Sequence, residues 1–322
     1  MIFQRGSSGP EVRRIQQRLQ DLKLYLGPID GRFGGGAESA LKAFQKAEKL
    51  SPDGIVGPQT WARLFPQEPL PALDLLDKPV AYRCLALTGS FETGAGPPDC
   101  FAGLSGDFDG QGISLGVLQW NLGQGSLQPL LQQTVDRHRA VLEGVFHEHF
   151  PEFLAVLLSP HAEQLAWTRS IQDLRRFQLL EPWQGLLKAL CRTPEFQTIQ
   201  VRYAGRLHDR AIELCGEYGL TTERATALMF DIVVQNGSIS LLVKTQIQQD
   251  FAQLTGLDDP LAAEVARMRI IANRRAAACR PEYIEDVRRR KLTIAQGQGL
   301  VHNISYDLET QYGLHLKPFQ PA

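Results

Sequence analysis

Ser105-Gly106-Asp107-Phe108-Asp109-Gly110-Gln111-Gly112-Ile113-Ser114-Leu115-Gly116-Val117-Leu118-Gln119-Trp120-Asn121 is the stretch on which the reading of this chain turns. Its glycines and serines permit a sharp, exposed turn and a small β-hairpin after it. Asp109 in such a turn is solvated and hydrogen-bonded, so it stays charged and can take a proton from water. Ser114 stands where a hydroxyl can help hold that water. Leu115 to Trp120 then leaves the turn as a buried element leading back to the core. Upstream lies Gly89-Ser90-Phe91-Glu92-Thr93-Gly94, with Glu92 expected just beyond the end of a helix begun around 79–88. Phe91 and Leu87 should keep Glu92 partly dry. Burial disfavours an ionised carboxyl group, so Glu92 is the expected proton holder of the pair. An acid and a base flanking a glycine-rich loop are the parts needed to cleave a glycosidic bond.

Outward from this stretch the pattern is helical. Apolar residues recur at three-to-four spacing near 127–145, 161–178, 182–190, 195–216, 221–235, 240–255, 259–276 and 281–291. Thr221-Thr222 reads as an N-cap and Asn236-Gly237 as a helix stop. Asp231 sits in the apolar run Leu228 to Val234, so it needs a cationic partner. Arg206, Arg210 or an arginine of 268–275 is the expected one, with Asp231 in a structural role at the cleft wall. Asn236 is a candidate for the same cleft.

The first 66 residues form a different unit. Val12, Ile15, Leu19 and Leu22, then Ala37, Leu41 and Phe44, predict two short amphipathic helices. Gly27-Pro28-Ile29-Asp30-Gly31-Arg32-Phe33-Gly34 is echoed by Pro52-Asp53-Gly54-Ile55-Val56-Gly57, and Pro58 to Trp61 begins a third helix. The repeated Asp-Gly turns let two halves share one core. Pro66, Pro69 and Pro71 mark a semi-rigid linker over 67–77, and 78–322 remains as one large, mainly α domain.

At 322 residues, with 43% hydrophobic and 21% charged residues, the chain has the composition of a globular protein with room for two domains. A net charge of −1 gives no basis for nucleic-acid binding. Residues 1–66 hold ten Lys/Arg and six Asp/Glu, a formal +4, which leaves −5 for 67–322. The small basic module is thus suited to an anionic surface. No apolar run has the length of a membrane span. The start, Met-Ile-Phe-Gln-Arg-Gly, lacks the pattern of a signal peptide. If the protein acts outside the cytoplasm, something other than a standard N-terminal signal is expected to deliver it. The five cysteines, with no Cys-x-x-Cys pair, suggest neither a disulfide scaffold nor structural zinc. The chain is expected to need no metal and no cofactor, and to be a monomer.

Two resemblances add to this reading. Gly-x-x-Val-x-x-Ile-Gln-x-x-Leu from Gly9 and the two Asp-Gly turns resemble the peptidoglycan-binding domain of bacterial and phage wall hydrolases, a three-helix module. Gly34-Gly35-Gly36 departs from its usual polar helix cap. Glu92 followed by Asp109-Gly110-Gln111-Gly112-Ile113-Ser114-Leu115-Gly116-Val117, with Ala227 to Gly237 as a second block, resembles the glycoside hydrolase family 46 chitosanases of the lysozyme-like superfamily.

The second resemblance implies a two-lobed helical fold with a glycan cleft and a short hairpin. It also implies an inverting mechanism with Glu92 as general acid, Asp109 as general base and Ser114 orienting the water. Gln111 replaces the motif's arginine, and Ser126 replaces an aspartate that binds the cationic sugar. Those losses suit N-acetylated peptidoglycan better than chitosan. Gln119 and Trp120 fall in a segment similar to the cleft-lining Gly-Leu-(Phe/Leu)-Gln of wall hydrolases. With Asn121, Gln111, Ser126 and Asn236 they complete the expected sugar contacts. The expected activity is that of a muramidase, made in the cytoplasm and delivered to the wall by a holin or a secretion machine. The alternatives are a lytic transglycosylase using Glu92 alone, a chitosanase, and a non-catalytic wall-binding protein.

Overall fold

A computed structural model describes residues 3–7, 9–68 and 75–319; six residues of the expected 67–77 linker lie outside these. The protein is mainly α and divides into two compact units, one of residues 1–96 and 206–322, the other of 97–205.

The first unit begins with three helices, α1 (Pro10–Asp21), α2 (Gly35–Ala47) and α3 (Pro58–Leu64). They enclose Val12, Ile15, Leu19, Phe33, Leu41, Phe44, Val56 and Trp61. As the Gly34-Gly35-Gly36 run suggested, α2 starts with no side-chain cap. The two Asp-Gly turns are built alike. Gln16, buried on α1, donates to Asp30 Oδ1 (2.8 Å) and the Arg32 carbonyl (2.9 Å) and accepts from Gly31 N (2.8 Å). Gln45, buried on α2, does the same to Asp53 Oδ1 (2.7 Å), the Ile55 carbonyl (2.9 Å) and Gly54 N (2.9 Å). Gly31 and Gly54 hold φ of 76° and 79°, a region L-residues avoid. The repeat thus consists of a turn together with the helical glutamine that satisfies it. Gln45→Ala strands the Gly54 amide and should cost about 1–3 kcal/mol, read as a lower urea midpoint; an unchanged midpoint would show that the turn holds itself.

The rest of the chain follows in order. Helix α4 (Val80–Thr93) leads out of the first segment. The second unit opens with strands β1 (Leu104–Ser105), β2 (Ser114–Leu115) and β3 (Trp120–Asn121), which pair antiparallel in that order. Then come α5 (Gln128–Phe146), α6 (Phe150–Leu158), α7 (His161–Ser170), the hairpin β4 (Gln172–Asp173) and β5 (Gln178–Leu179), α8 (Trp183–Arg192) and α9 (Pro194–Tyr203). The core of this unit is apolar, with Leu115, Leu130, Leu142, Phe146, Trp183, Leu190 and Phe196 among its buried members.

The chain re-enters the first unit through α10 (Gly205–Tyr218), α11 (Glu223–Asn236), α12 (Leu241–Ala252), α13 (Pro260–Ala277) and α14 (Ile284–Gln296). The hairpin β6 (Gln298–Val301) and β7 (Ile304–Asp307) and the short α15 (Leu308–Tyr312) complete it. Helix α11 is buried over almost its whole length. Thr222 caps its start by accepting from Ala225 N, and Gly237 at φ 75° ends it, as expected. Within this unit Gly96 N donates to the Gly6 carbonyl (2.9 Å) and the Gln4 amide donates to the Ser305 carbonyl. No helix among the described residues is long and apolar enough to cross a membrane.

Three sequence expectations fail locally. The helix expected over 161–178 stops at Ser170, because Asp173 Oδ1 accepts from Arg175 N (2.8 Å) and Arg176 N (3.1 Å) and turns the chain into β4–β5. The helix expected over 195–216 divides at Ala204 into α9 and α10. The β6–β7 hairpin was not anticipated: Gly297 at φ 82° ends α14, and His302 and Asn303, at φ 49° and 62°, form its two-residue turn.

Candidate active site

The candidate residues fall in both units. In the first, Glu92 occupies the last turn of α4, which Gly94 terminates at φ 68°. This corrects the expected position beyond the helix end. The dry surroundings expected for Glu92 are also absent: its side chain is 50% exposed. Its Oε1 instead accepts from Arg290 Nη1 at 2.6 Å.

Arg290, 2% exposed, is a hub. Its Nε donates to both Asp231 oxygens (3.0 and 3.1 Å) and its Nη2 to Asp231 Oδ1 (2.6 Å). Its guanidinium carbon also lies 5.0 Å from the centre of the Phe91 ring, a cation–π contact. Lys291, fully buried, donates to Asp231 Oδ2, to the Asp231 carbonyl (3.2 Å) and to Gln235 Oε1 (2.8 Å). Thr88, one turn before Glu92 on α4, donates to Asp231 Oδ1 at 3.2 Å.

A guanidinium presents its N–H groups in a flat fork, so Arg290 can grip Asp231 along one edge and Glu92 with the remaining Nη. Burial alone would raise the Asp231 carboxyl, but Arg290 and then Lys291 reverse this and hold it at about 2. Burial draws the Lys291 ammonium down to about 8 against the pull of Asp231. The partners of Asp231 therefore come from α14, not from Arg206, Arg210 or 268–275. Arg210 pairs with Glu213 (2.7 Å) and Glu217 (3.2 Å), and Arg274 with Asp250 (2.6 Å). Arg290 and Lys291 were missed because they lie in an Arg-Arg-Arg-Lys run that reads as a solvated face. The available signal was Val287 and Ile294, three and four residues away, which put both cations on the buried stripe of α14. Asn236 closes α11, and among the described residues its buried side-chain oxygen has no hydrogen-bond partner.

In the second unit, Asp109 is exposed at the tip of the loop between β1 and β2, and its Oδ1 accepts from Gln111 N at 3.1 Å. The loop is anchored by a residue sequence reading passed over. Asp107 is buried, accepts from Gly112 N (2.9 Å) and pairs with Arg169 Nε of α7 (3.2 Å). Its own amide donates to Gln172 Oε1 (2.8 Å). Gly110 and Gly112, at φ 81° and 75°, make the turn that leaves Asp109 outside while Asp107 points in.

Ser114 on β2 accepts from Asn121 Nδ2 at 3.0 Å. Asn121 also accepts from Gln124 N (2.9 Å), and its amide donates to Ser126 Oγ (2.8 Å), which returns a bond to the Asn121 carbonyl (3.2 Å). Ser114, Asn121 and Ser126 are thus joined in one network, and the Ser126 hydroxyl is engaged inside its own turn. Gln119, expected within a buried element, is instead exposed at φ 53°, accepts from Ser105 Oγ (2.7 Å) and donates to the Gly116 carbonyl (2.9 Å). Trp120 is half-buried against the core of the unit. Gln111 is exposed, and its carbonyl accepts from Gly123 N (2.7 Å).

Among curated proteins the chain is 42% identical over 64 residues to an uncharacterized protein of Kitasatospora aureofaciens, covering 20% of this chain and 54% of that protein. It is 42% identical over 59 residues to a spore cortex-lytic enzyme of Bacillus cereus, covering 18% and 23%. The chain therefore spans about half the length of the first relative and under a quarter of the second. Among solved structures it is similar to a chitosanase from Bacillus subtilis MY002, at 18% identity and a TM-score of 0.40, covering 70% of this chain and 88% of that one. Residues 8–64, which contain both glutamine-held turns, match the family described as putative peptidoglycan binding domain.

Proposed function

We propose that this protein is a peptidoglycan hydrolase that cleaves β-1,4 glycosidic bonds of the glycan strand, an N-acetylmuramidase in the lysozyme sense. Residues 1–66 are its wall anchor and 78–322 its catalytic part. The observation that carries the reading is the half-exposed Glu92 carboxylate braced from beneath by the buried Arg290–Asp231–Lys291 cluster. A fold gains little from burying three charges when apolar residues of similar size would serve. A group that must present one carboxyl in a fixed direction gains a great deal.

Glu92 Oε1 accepts from Arg290 Nη1, so Oε2 is the oxygen through which this reading passes the proton. In the reaction Glu92 gives that proton to the leaving glycosidic oxygen. Asp109 takes a proton from water as the water oxygen bonds to the anomeric carbon, and the configuration inverts. Ser114, held by Asn121, orients the water. Ser126 supports an N-acetylated glycan in place of chitosan, because its hydroxyl is engaged within its turn and no carboxylate occupies position 126 to meet an ammonium.

The test is incubation with intact sacculi, with released ends read by reducing-end chemistry and mass spectrometry. Muramic reducing ends are expected, and their loss in Asp109→Asn. Anhydromuramic ends, undiminished in Asp109→Asn, would replace hydrolysis by transglycosylation on Glu92. Binding with no cleavage would remove the enzyme reading altogether.

A further inference from the structure

The β4–β5 hairpin, which no sequence signal assigned to the site, is pressed onto the loop that carries Asp109. The Phe177 carbonyl covers Gly106 so closely that a Cβ at Gly106 would lie 2.0 Å from it. Phe177 itself is held at φ 53°, a conformation that L-residues other than Asn and Asp seldom adopt. Gln172 of β4 accepts from the Asp107 amide, and Arg169 of α7 grips the Asp107 carboxylate. The hairpin tip and the Asp109 loop are therefore one fixed surface within the second unit.

Its exposed face combines two chemistries. Phe108, next to Asp109, is 67% exposed, Leu174 63% and Phe177 40%. Arg175 and Arg176 are exposed, and among the described residues neither forms a salt bridge. Asp173 Oδ1 caps their backbone amides, and these bonds together with the nearby Arg176 charge hold the Asp173 carboxyl below its ordinary range. Large apolar groups clustered beside exposed guanidiniums mark a recognition surface. Aromatic faces suit the C–H faces of a sugar ring, and guanidinium forks suit carboxylates.

Resting on the hydrolase reading above, we infer that this hairpin is a specificity element for the anionic glycan. Phe108 stacks on a sugar next to the cleaved bond, and Arg175 and Arg176 bind a carboxylate carried by the strand, from its lactyl ether or its stem peptide. The same two cations repel a polymer of ammonium sugars, so the hairpin separates an anionic wall glycan from chitosan by charge.

The experiment uses the full chain, the double variant Arg175→Ala/Arg176→Ala, and sonicated sacculi either untreated or with carboxylates amidated. For the unaltered protein, amidation should raise KM about tenfold. The double variant should show that rise already on untreated sacculi, with kcat kept and little further response to amidation. The basic anchor also meets the wall, so only this difference between the two proteins counts. Phe108→Ala should raise KM equally on both substrates, and urea midpoints should show all variants folded. A double variant that cleaves untreated sacculi with the KM of the unaltered protein overturns the inference while leaving the hydrolase reading intact. So does saturable binding to phosphatidylglycerol vesicles that depends on Arg175 and Arg176 with KM on sacculi unchanged. An unaltered protein that cleaves neither substrate overturns the reading beneath it as well.

Discussion

Replacing Glu92 by glutamine is expected to lower the release of reducing ends from sacculi by about 10²–10⁴-fold, with binding to sacculi retained. Glutamine keeps the size of the side chain and an oxygen that can still accept from Arg290 Nη1, so the ion cluster beneath stays hydrogen-bonded. What it lacks is a proton to give to the leaving oxygen. An alkoxide leaving group without protonation is poor, so the loss falls on kcat. Because the side chain is 50% exposed, the substitution adds no large term to stability. Retained binding follows if the match of residues 8–64 to a peptidoglycan-binding family reflects an anchor independent of catalysis. A Glu92→Gln variant that cleaves within a few-fold of the unaltered rate would sink the assignment of Glu92.

Asp231→Ala is expected to be among the most destabilising substitutions in the chain. It removes the anion between Arg290 and Lys291, leaving Arg290 with Glu92 as its remaining carboxylate and Lys291 with no carboxylate among the described residues, which costs about 3–5 kcal/mol. The measurement is the urea midpoint. Activity should fall with it, because Arg290, freed from Asp231, no longer fixes Glu92. A midpoint within experimental error of the parent would show that the cluster carries no folding energy.

Acid gives a gentler version of the same experiment. The Asp231 carboxyl is held at about 2, against 3.8 ordinarily, so its contribution is fully present above pH 4. It is lost as pH falls from about 4 through 2, because the unfolded chain takes up the proton first. The shift corresponds to about 2 kcal/mol. That is less than the alanine substitution, since a protonated Asp231 still fills its place and still accepts hydrogen bonds. A stability profile flat between pH 4 and pH 2 would contradict this account.

Where the chemistry is local, the sequence was enough. Asp30-Gly31 and Asp53-Gly54 announced two tight turns because only glycine enters the positive-φ region without strain, and both are found. Thr222 and Gly237 bound α11 because an N-cap hydroxyl and a positive-φ glycine act on their nearest neighbours. The helical periodicities gave most of the helices for the same reason. Errors arose where a side chain competed with the helix, as Asp173 does, or where two short strands needed each other, as β6 and β7 do.

The candidate site divides along the same line. Asp109 in its glycine turn and Ser114 on the following strand were legible from the spacing of residues 105–121, since glycines and serines at that density favour a sharp turn. By contrast, the partner of Glu92 lies 198 residues away and that of Asp231 59 or 60 away. Nothing in a sequence reports which cation a buried carboxylate will meet when several arginines could reach it by helical spacing. Sequence by itself determined the helical class, the repeated turns of the N-terminal module and the two carboxylates, Glu92 and Asp109, as candidates. Tertiary structure alone decided that Glu92 is held by Arg290, that Asp107 pins the Asp109 loop and that the β4–β5 hairpin covers Gly106. Long-range pairing is set by which faces pack, and packing is a property of the whole fold.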